Sequence, residues 1–345
     1  MDSQQTDRTL ASIVRVKQVH PIAGADKIVL VEIKGWKCIV KKDEFNQGDL
    51  GVYLSIDSIP DLDDPNTSFI KDKGGRIKTI KLRGVISQGL LGPLDWLKSR
   101  GIDISTLKEG DDVTKEMGVT KYIPNEELGQ YSKGVSDESA PFPVIVRKTD
   151  EERLQNYPSF LDRIKNRSII ITRKEDGCSC SVIHNQGKFG LCSRNYELLE
   201  PTTSSSHYFY VSDKLKLKEK MQSLGRNIAI QGEIVGPKIN GNRLKLVEYS
   251  FRVFNVWDID AQCYLKYSDV ESICTFLGVD QVPLIFKGVY DSQKLTLDHF
   301  LELADQQEYV TGKTPAEGIV VKTDDDEHRI SFKVISNNYL LGNKL

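Results

Sequence analysis

No stretch of this 345-residue chain approaches the roughly 18 consecutive apolar residues that a membrane-spanning helix requires, and its opening, MDSQQTDRTLASIVRVK, carries no apolar secretory segment. Cysteine is scarce. The six thiols, at positions 38, 178, 180, 192, 263 and 274, follow no disulfide spacing, which predicts an intracellular, reducing compartment, cytoplasm or nucleus, with an organelle left open. Charge of one sign is not in excess either. The 47 basic and 49 acidic residues leave a net charge of −2, which excludes a lysine-coated, histone-like binder but not a local basic groove. No internal repeat is visible. Cys178 and Cys180 with His184 and Cys192 match no standard zinc spacing and read as small residues lining a strand.

What is present is an uneven alternation of short apolar segments. From Ser12 to about Leu97 run IVRVKQV, KIVLVEI, KCIVK, GVYLSI and RIKTIKL, separated by the turn signals IAGAD, FNQGD and DKGG. Several short strands at this spacing predict a five-stranded barrel of the oligonucleotide-binding (OB) type over residues 1–124. Residues 125–142, polar and rich in Gly and Ser, read as a linker. Residues 143–345 then mix strands and helices, which predicts an α+β domain with antiparallel strands. In it, TDEERLQNYPSFLDRI (149–164) opens with a capping-box spacing, Thr149 to Glu152, that predicts a helix. Further helices are expected over DKLKLKEKMQSLG, near 268–277 and over 297–309. Two basic stretches, KDKGGRIKTIKLR (71–83) and DKLKLKEK (213–220), are candidates for nucleic-acid contact.

The chemistry-bearing stretch is RKEDGCS, Arg173 to Ser179, directly after the β-branched run SIII. Alternate residues of a strand share a face, so Lys174 and Asp176 project together, and Gly177 allows a turn or the close approach of a ligand. Alone, a Lys-x-Asp-Gly is weak. It gains weight from the later motifs, in this order along the chain: SRN (193–195), GEIVG (232–236), FRVFNVWDI (251–259), EGIVVK (317–322) and SFK (331–333).

With these six motifs the chain resembles the covalent nucleotidyltransferases, the superfamily of ATP-dependent ligases and capping enzymes. QGEIVGPKINGN, SRNYEL and the leading HPIAGADKIVLVEIKGWKCIVKKDEFNQGDLGVYLSIDSIP with LRGVISQGLL resemble the Naegleria- and Deinococcus-type RNA ligases over roughly residues 12–340. The resemblance implies an OB-like barrel followed by an antiparallel-sheet, ATP-grasp-like ligase domain. It implies an enzyme that joins a 3′-hydroxyl to a 5′-phosphate RNA end, as in the repair of nicks, through lysyl–AMP and an adenylylated 5′-phosphate, with ATP and Mg or Mn as cofactors; the oligomeric state stays open, with a monomer expected. A capping guanylyltransferase, a DNA ligase and an inactive RNA-binding module are the alternatives.

The residue roles come with that resemblance. Lys174 is the expected nucleophile, made neutral by burial and a nearby divalent cation. Asp176, Glu233 and Glu317 are expected around the metal, mainly through water, with Glu233 also within reach of the ribose. Lys322 and Lys333 would clamp the triphosphate, and Phe254 would stack on adenine. Gly177, Arg194 and Asn195 complete the nucleotide contacts, the asparagine serving the later steps. The superfamily's last motif ordinarily reads Lys-x-Lys, whereas this chain has Ser331-Phe332-Lys333. Either Lys322 or Arg329 supplies the missing cation, or the register differs there.

Overall fold

The computed structural model describes residues 9–122, 139–199, 206–325 and 329–342. They fall into two compact units: residues 9–122 with Gln155–Pro158, and the described residues from 139 onward without that short segment. Most of the expected linker, 125–142, and residues 326–328 lie outside the described residues.

In the first unit, five strands form a sheet in the order Trp36–Lys41, Ile28–Ile33, Ala11–Pro21, Leu50–Leu54, Leu90–Pro93, with every neighbour antiparallel. The alternation in WKCIVK turns Trp36, Cys38 and Val40 inward. The long first strand bears a bulge between Val16 and Gln18. Residues before it pair with Leu50–Leu54 and those after it with Ile28–Ile33, so the bulge curls the sheet as an OB barrel requires. The expected fifth strand, RIKTIKL, is not in this sheet. Thr79–Leu82 instead folds against Val85–Gln88, because Arg83 (φ 49°) and Gly84 (φ 80°) both adopt the left-handed conformation of a tight two-residue hairpin. Arg76, expected to face a phosphate, is turned inward, donating to Asp57 at 2.6 Å and lying 4.0 Å from the Tyr122 ring centre. Lys71, Lys73, Lys78, Lys81 and Arg83 are the exposed cations of that stretch.

The second unit holds two sheets. One runs Ser139–Pro141, Tyr196–Leu198, Lys188–Cys192, Cys178–Asn185, Ile228–Val235, Ser250–Asp258, Cys263–Tyr264. Helices His207–Leu215, Leu217–Leu224 and Tyr267–Leu277 bury Val211, Leu217, Met221, Ile273 and Leu277 in the core cluster that contains its apolar residues. The other runs Glu152–Arg153, Ser331–Ile335, Gly318–Thr323, Ser168–Lys174, Leu284–Val289, and Phe300 and Ala304 of helix Leu297–Asp305 join its core. Among the described residues no helix is long and apolar enough to cross a membrane, and all six cysteines are free thiols.

Three helix expectations change. Over 149–164 only Phe160–Ile164 is α-helical; Glu152 and Arg153 pair in parallel with Phe332 and Lys333, and Pro158 bars continuation from the N-terminal side. The helix expected over DKLKLKEKMQSLG is two, broken at Lys216 in the left-handed conformation (φ 53°). The last stops at Asp305, and Glu308–Val310 becomes a short strand.

Only Glu175, Asp176 and Gly177 join the strand ending at Lys174 to the one beginning at Cys178, so the two sheets are tethered at the motif itself. The glycine there serves neither a positive-φ turn nor a cavity wall. A Cβ on it would stand 2.3 Å from the Ile234 carbonyl oxygen and 2.8 Å from Glu233 Cγ, and the chain must pass that close for Cys178 to pair with Ile234. Gly177→Ala is therefore expected to destabilise this unit by about 1–3 kcal/mol, as overpacking does. Urea unfolding checks this, and wild-type stability would show that the strands are free to separate there.

Candidate active site

Lys174 is the last residue of its strand and stands opposite Gly318 in the neighbouring one. That register puts Glu317, one residue earlier, beside the lysine side chain, and Lys174 Nζ donates to Glu317 Oε2 at 2.6 Å. The lysine is not sealed in: a quarter of its side chain is accessible, at the wall of a cavity that Glu233, Arg194, Phe254, Lys322 and Lys333 also line. Glu233 reaches it from the other sheet, on the strand beside Cys178–Asn185.

Burial pushes the Lys174 amine toward the neutral form, but Glu317, Glu233 and Asp176 together outweigh it and hold the pKa above the ordinary lysine value. Burial alone does not free the nucleophile. The counterpart appears in the acids. Glu233 is pushed up to about 8, mainly by burial, with Glu317 and Asp176 adding to the shift. Asp176 is raised by burial and then by Glu317. Three carboxylates around one ammonium are one charge or more too negative for a half-buried site.

Asp176 does not line the cavity. Its Oδ1 accepts from Asn240 Nδ2 at 2.8 Å, its Oδ2 from the Tyr339 hydroxyl at 2.8 Å, and Arg243 Nε lies 3.4 Å from Oδ2. Its influence on Lys174 is exerted through the field. Phe254 does line the cavity, with Lys322 Nζ 5.3 Å from its ring centre. Lys322 is buried and donates to the Phe254 carbonyl (2.8 Å) and to Asn255 Oδ1 (2.9 Å); burial, with Arg329 nearby, lowers it to about 7. Arg329 donates to the same Asn255 oxygen at 2.7 Å and lies over Tyr264. It lines a neighbouring small cavity instead of the one at Lys174.

Lys333 is lowered to about 8, chiefly by burial, with Asp150 opposing and Lys174 assisting. Arg194 and Lys333 meet at one carboxylate oxygen, Asp150 Oδ1, at 3.2 and 3.6 Å. Asn195 follows Arg194 in the turn before Tyr196–Leu198 and stands outside the cavity lining, as does Gly177.

Several residues around the motif went unnoticed in the sequence. Glu175 is fully buried and accepts on Oε1 from Arg173 (3.1 and 2.9 Å) and from Arg252 (3.1 Å). The Tyr309 hydroxyl donates to the Lys174 carbonyl (2.8 Å) and accepts from the Glu317 amide (3.1 Å). Asn240 lay within the quoted GPKINGN stretch without a role; Tyr309 and Tyr339 carried no signal at all.

The donor set suits a hard divalent cation. Oxygen ligands in negative excess are what Mg or Mn prefers, and such an ion keeps several of its waters. Among the described residues no three acids converge tightly enough to ligate it directly, so Glu233, Glu317 and Asp176 would hold it largely through those waters.

Comparison with known proteins gives consistent matches. The RNA ligase family profile matches residues 167–335 and an OB-fold domain profile residues 10–94. A structure of Naegleria gruberi RNA ligase with PPi is 34% identical, covers 98% of this chain and 99% of its own, and superposes with a TM-score of 0.84. A mutant of that ligase with ATP and Mn is 34% identical over 96% of this chain and 98% of its own, at a TM-score of 0.85. A mutant with AMP and Mn is 34% identical over 96% and 98%, at 0.82. No curated protein matches.

Because Glu233 is raised to about 8, it is protonated at neutral pH and must lose that proton to hold a cation. Mn affinity, measured by calorimetry, should rise between about pH 6.5 and 8.5 by up to about tenfold per unit, and Glu233→Gln should flatten the rise. A pH-independent affinity in the wild type would remove Glu233 from the metal's surroundings.

Proposed function

This chain belongs to the RNA ligase family, and from that premise we propose ATP-dependent joining of RNA ends by nucleotidyl transfer through Lys174. The observation that carries the reading is the Lys174–Glu317 contact at the wall of a cavity that also presents Phe254, Arg194 and Lys333. We assign the chemistry to residues 143–345 and nucleic-acid contact to residues 1–124, with 125–142 joining them. The free thiols suit a reducing, intracellular compartment, and we take the working form to be a monomer.

In the first step the neutral Lys174 nitrogen bonds to the α-phosphorus of ATP, the α–β phosphoanhydride breaks, and pyrophosphate leaves. The 5′-phosphate of an RNA strand then displaces the lysine and takes the AMP. A 3′-hydroxyl attacks that phosphate, a phosphodiester forms, and AMP departs. Lys174 has to shed its proton first, and Glu317 Oε2 is the acceptor already bonded to it. A divalent cation, when bound, adds positive charge beside the three carboxylates, weakening their hold on that proton and steadying the phosphates.

Phe254 offers adenine a flat apolar partner, worth about 1–3 kcal/mol by analogy with base–aromatic stacking. Lys333 and Arg194 share Asp150, and an arriving triphosphate would replace that carboxylate with a stronger anion. Lys322 and Lys333, lowered to about 7 and about 8, would regain full charge beside it. Lys322 is the cross-strand partner of Ser331, which stands where a lysine is expected, and we assign the substitute role to Lys322 because, unlike Arg329, it also lines the main cavity.

Two experiments test the reading. Incubated with Mg or Mn and ATP labelled at the α-phosphate, the protein should retain label after denaturation. Lys174→Ala should retain none; label from GTP in preference, or no label in the wild type, would overturn the assignment. On the other unit, reversing the exposed hairpin cations Lys81 and Arg83 to glutamate should weaken nicked-RNA binding. The loss should be larger at low salt, flattening the dependence of log affinity on log salt by about two phosphate contacts. Unchanged affinity across the salt range would free this hairpin of any RNA role.

A further inference from the structure

Between helix Leu297–Asp305 and Glu317 the chain makes a short hairpin in which Glu308–Val310 pairs with Thr314–Pro315. Tyr309 sits on its outgoing arm and points its hydroxyl at two backbone groups. One is the carbonyl of Lys174, to which it donates at 2.8 Å; the other is the amide of Glu317, from which it accepts at 3.1 Å. A single oxygen thus joins the backbones of the two residues whose side chains meet at 2.6 Å. The hairpin is itself held down: Arg173 donates to the Glu308 carbonyl at 2.9 Å and lies 5.2 Å from the Tyr309 ring centre, while its other nitrogens are fixed on the buried Glu175. Burial, reinforced by Glu317, pushes the phenol pKa well up, so the hydroxyl keeps its proton and remains the donor.

We infer that Tyr309 is a positioning residue for the first chemical step, fixing the lysine nucleophile against Glu317 so that its nitrogen is aimed at the α-phosphorus. The inference rests on the ligase reading above and adds a residue to it. Both ends of the contact need such a fixture. Lys174 ends its strand, and the three residues after it cross to another sheet. Glu317 precedes Gly318, whose φ of 147° brings the chain so near that a Cβ would stand 2.1 Å from the Val334 carbonyl oxygen. The phenol gives each of these two backbone groups a hydrogen bond from the hairpin. Its task is geometric, and a nucleophile displaced by a fraction of an ångström reacts far more slowly.

Tyr309→Phe removes the oxygen and leaves the ring against Arg173, so folding is expected to persist and a thermal melt checks it. At saturating ATP, single-turnover formation of lysyl–AMP should slow by about tenfold, with the half-saturating ATP concentration within about twofold of wild type. Sealing of a nick whose 5′ end already carries AMP, run without ATP, bypasses the lysine and should stay within about twofold. An unchanged first step would overturn the inference. Equal losses in both reactions would do so as well, since that is what general loosening of the domain produces. A wild-type protein that takes up no label fails the ligase reading itself, whereas normal labelling of Tyr309→Phe fails this inference alone.

Discussion

Everything in the catalytic unit is arranged around one ammonium held 2.6 Å from one carboxylate, with two further acids acting on it through space. In a half-buried setting such a group is under tension of charge. Burial alone pushes the lysine toward its neutral form and the acids toward their protonated forms; here each opposes the other's shift. Burial, with the excess of negative charge adding to it, holds Glu233 near 8, and the excess is what makes oxygen-seeking cations suit the place. The same excess holds the Lys174 amine above the ordinary lysine pKa.

Around that contact the chain has built a rigid frame. Glu175 is wholly buried between Arg173 and Arg252, Asp176 is held by Asn240, Tyr339 and Arg243, and Tyr309 joins the backbones on either side. These groups come from segments far apart in the chain. Fixing them is a cost met during folding, so that little conformational freedom remains to be lost when a nucleotide enters. Arg194, on an exposed turn, and Lys333, against the exposed Asp150, are held more loosely.

Most strands and the candidate residues around Lys174 were legible in the sequence because each left a local mark. Strand alternation, β-branched runs and glycines beside charged residues are short-range patterns, and Lys174, Glu233, Phe254, Glu317 and Lys333 all sat at such marks. What escaped depended on partners far away. The Thr149–Glu152 spacing gave a sound local argument for a helix, but Glu152 and Arg153 find a strand at Phe332 and Lys333, and pairing overrode propensity. The hairpin at Arg83-Gly84 diverted a strand that alternation alone assigned to the barrel sheet. Arg76 looked like one more surface cation in a basic run until Asp57 and Tyr122 closed on it. Tyr309 and Tyr339 are aromatic residues with no periodic context, and a phenol that bonds to a distant backbone leaves no trace in its own neighbourhood. The field of three acids on the lysine escaped for a related reason: it is a property of their convergence, which no local pattern marks.

The parallel pairing of Glu152–Arg153 with Phe332–Lys333 has a bearing on synthesis. A strand near the front of the catalytic unit waits for one near its end, and Lys333 reaches the cavity only as part of that late strand. While the ribosome is still making the intervening residues, the nascent polypeptide carries the nucleophile without Glu317 and without the cation opposite it. Loops this long close slowly, and their edges stay unpaired meanwhile. The cavity lining is thereby complete only once residues 331–335 have been made and paired.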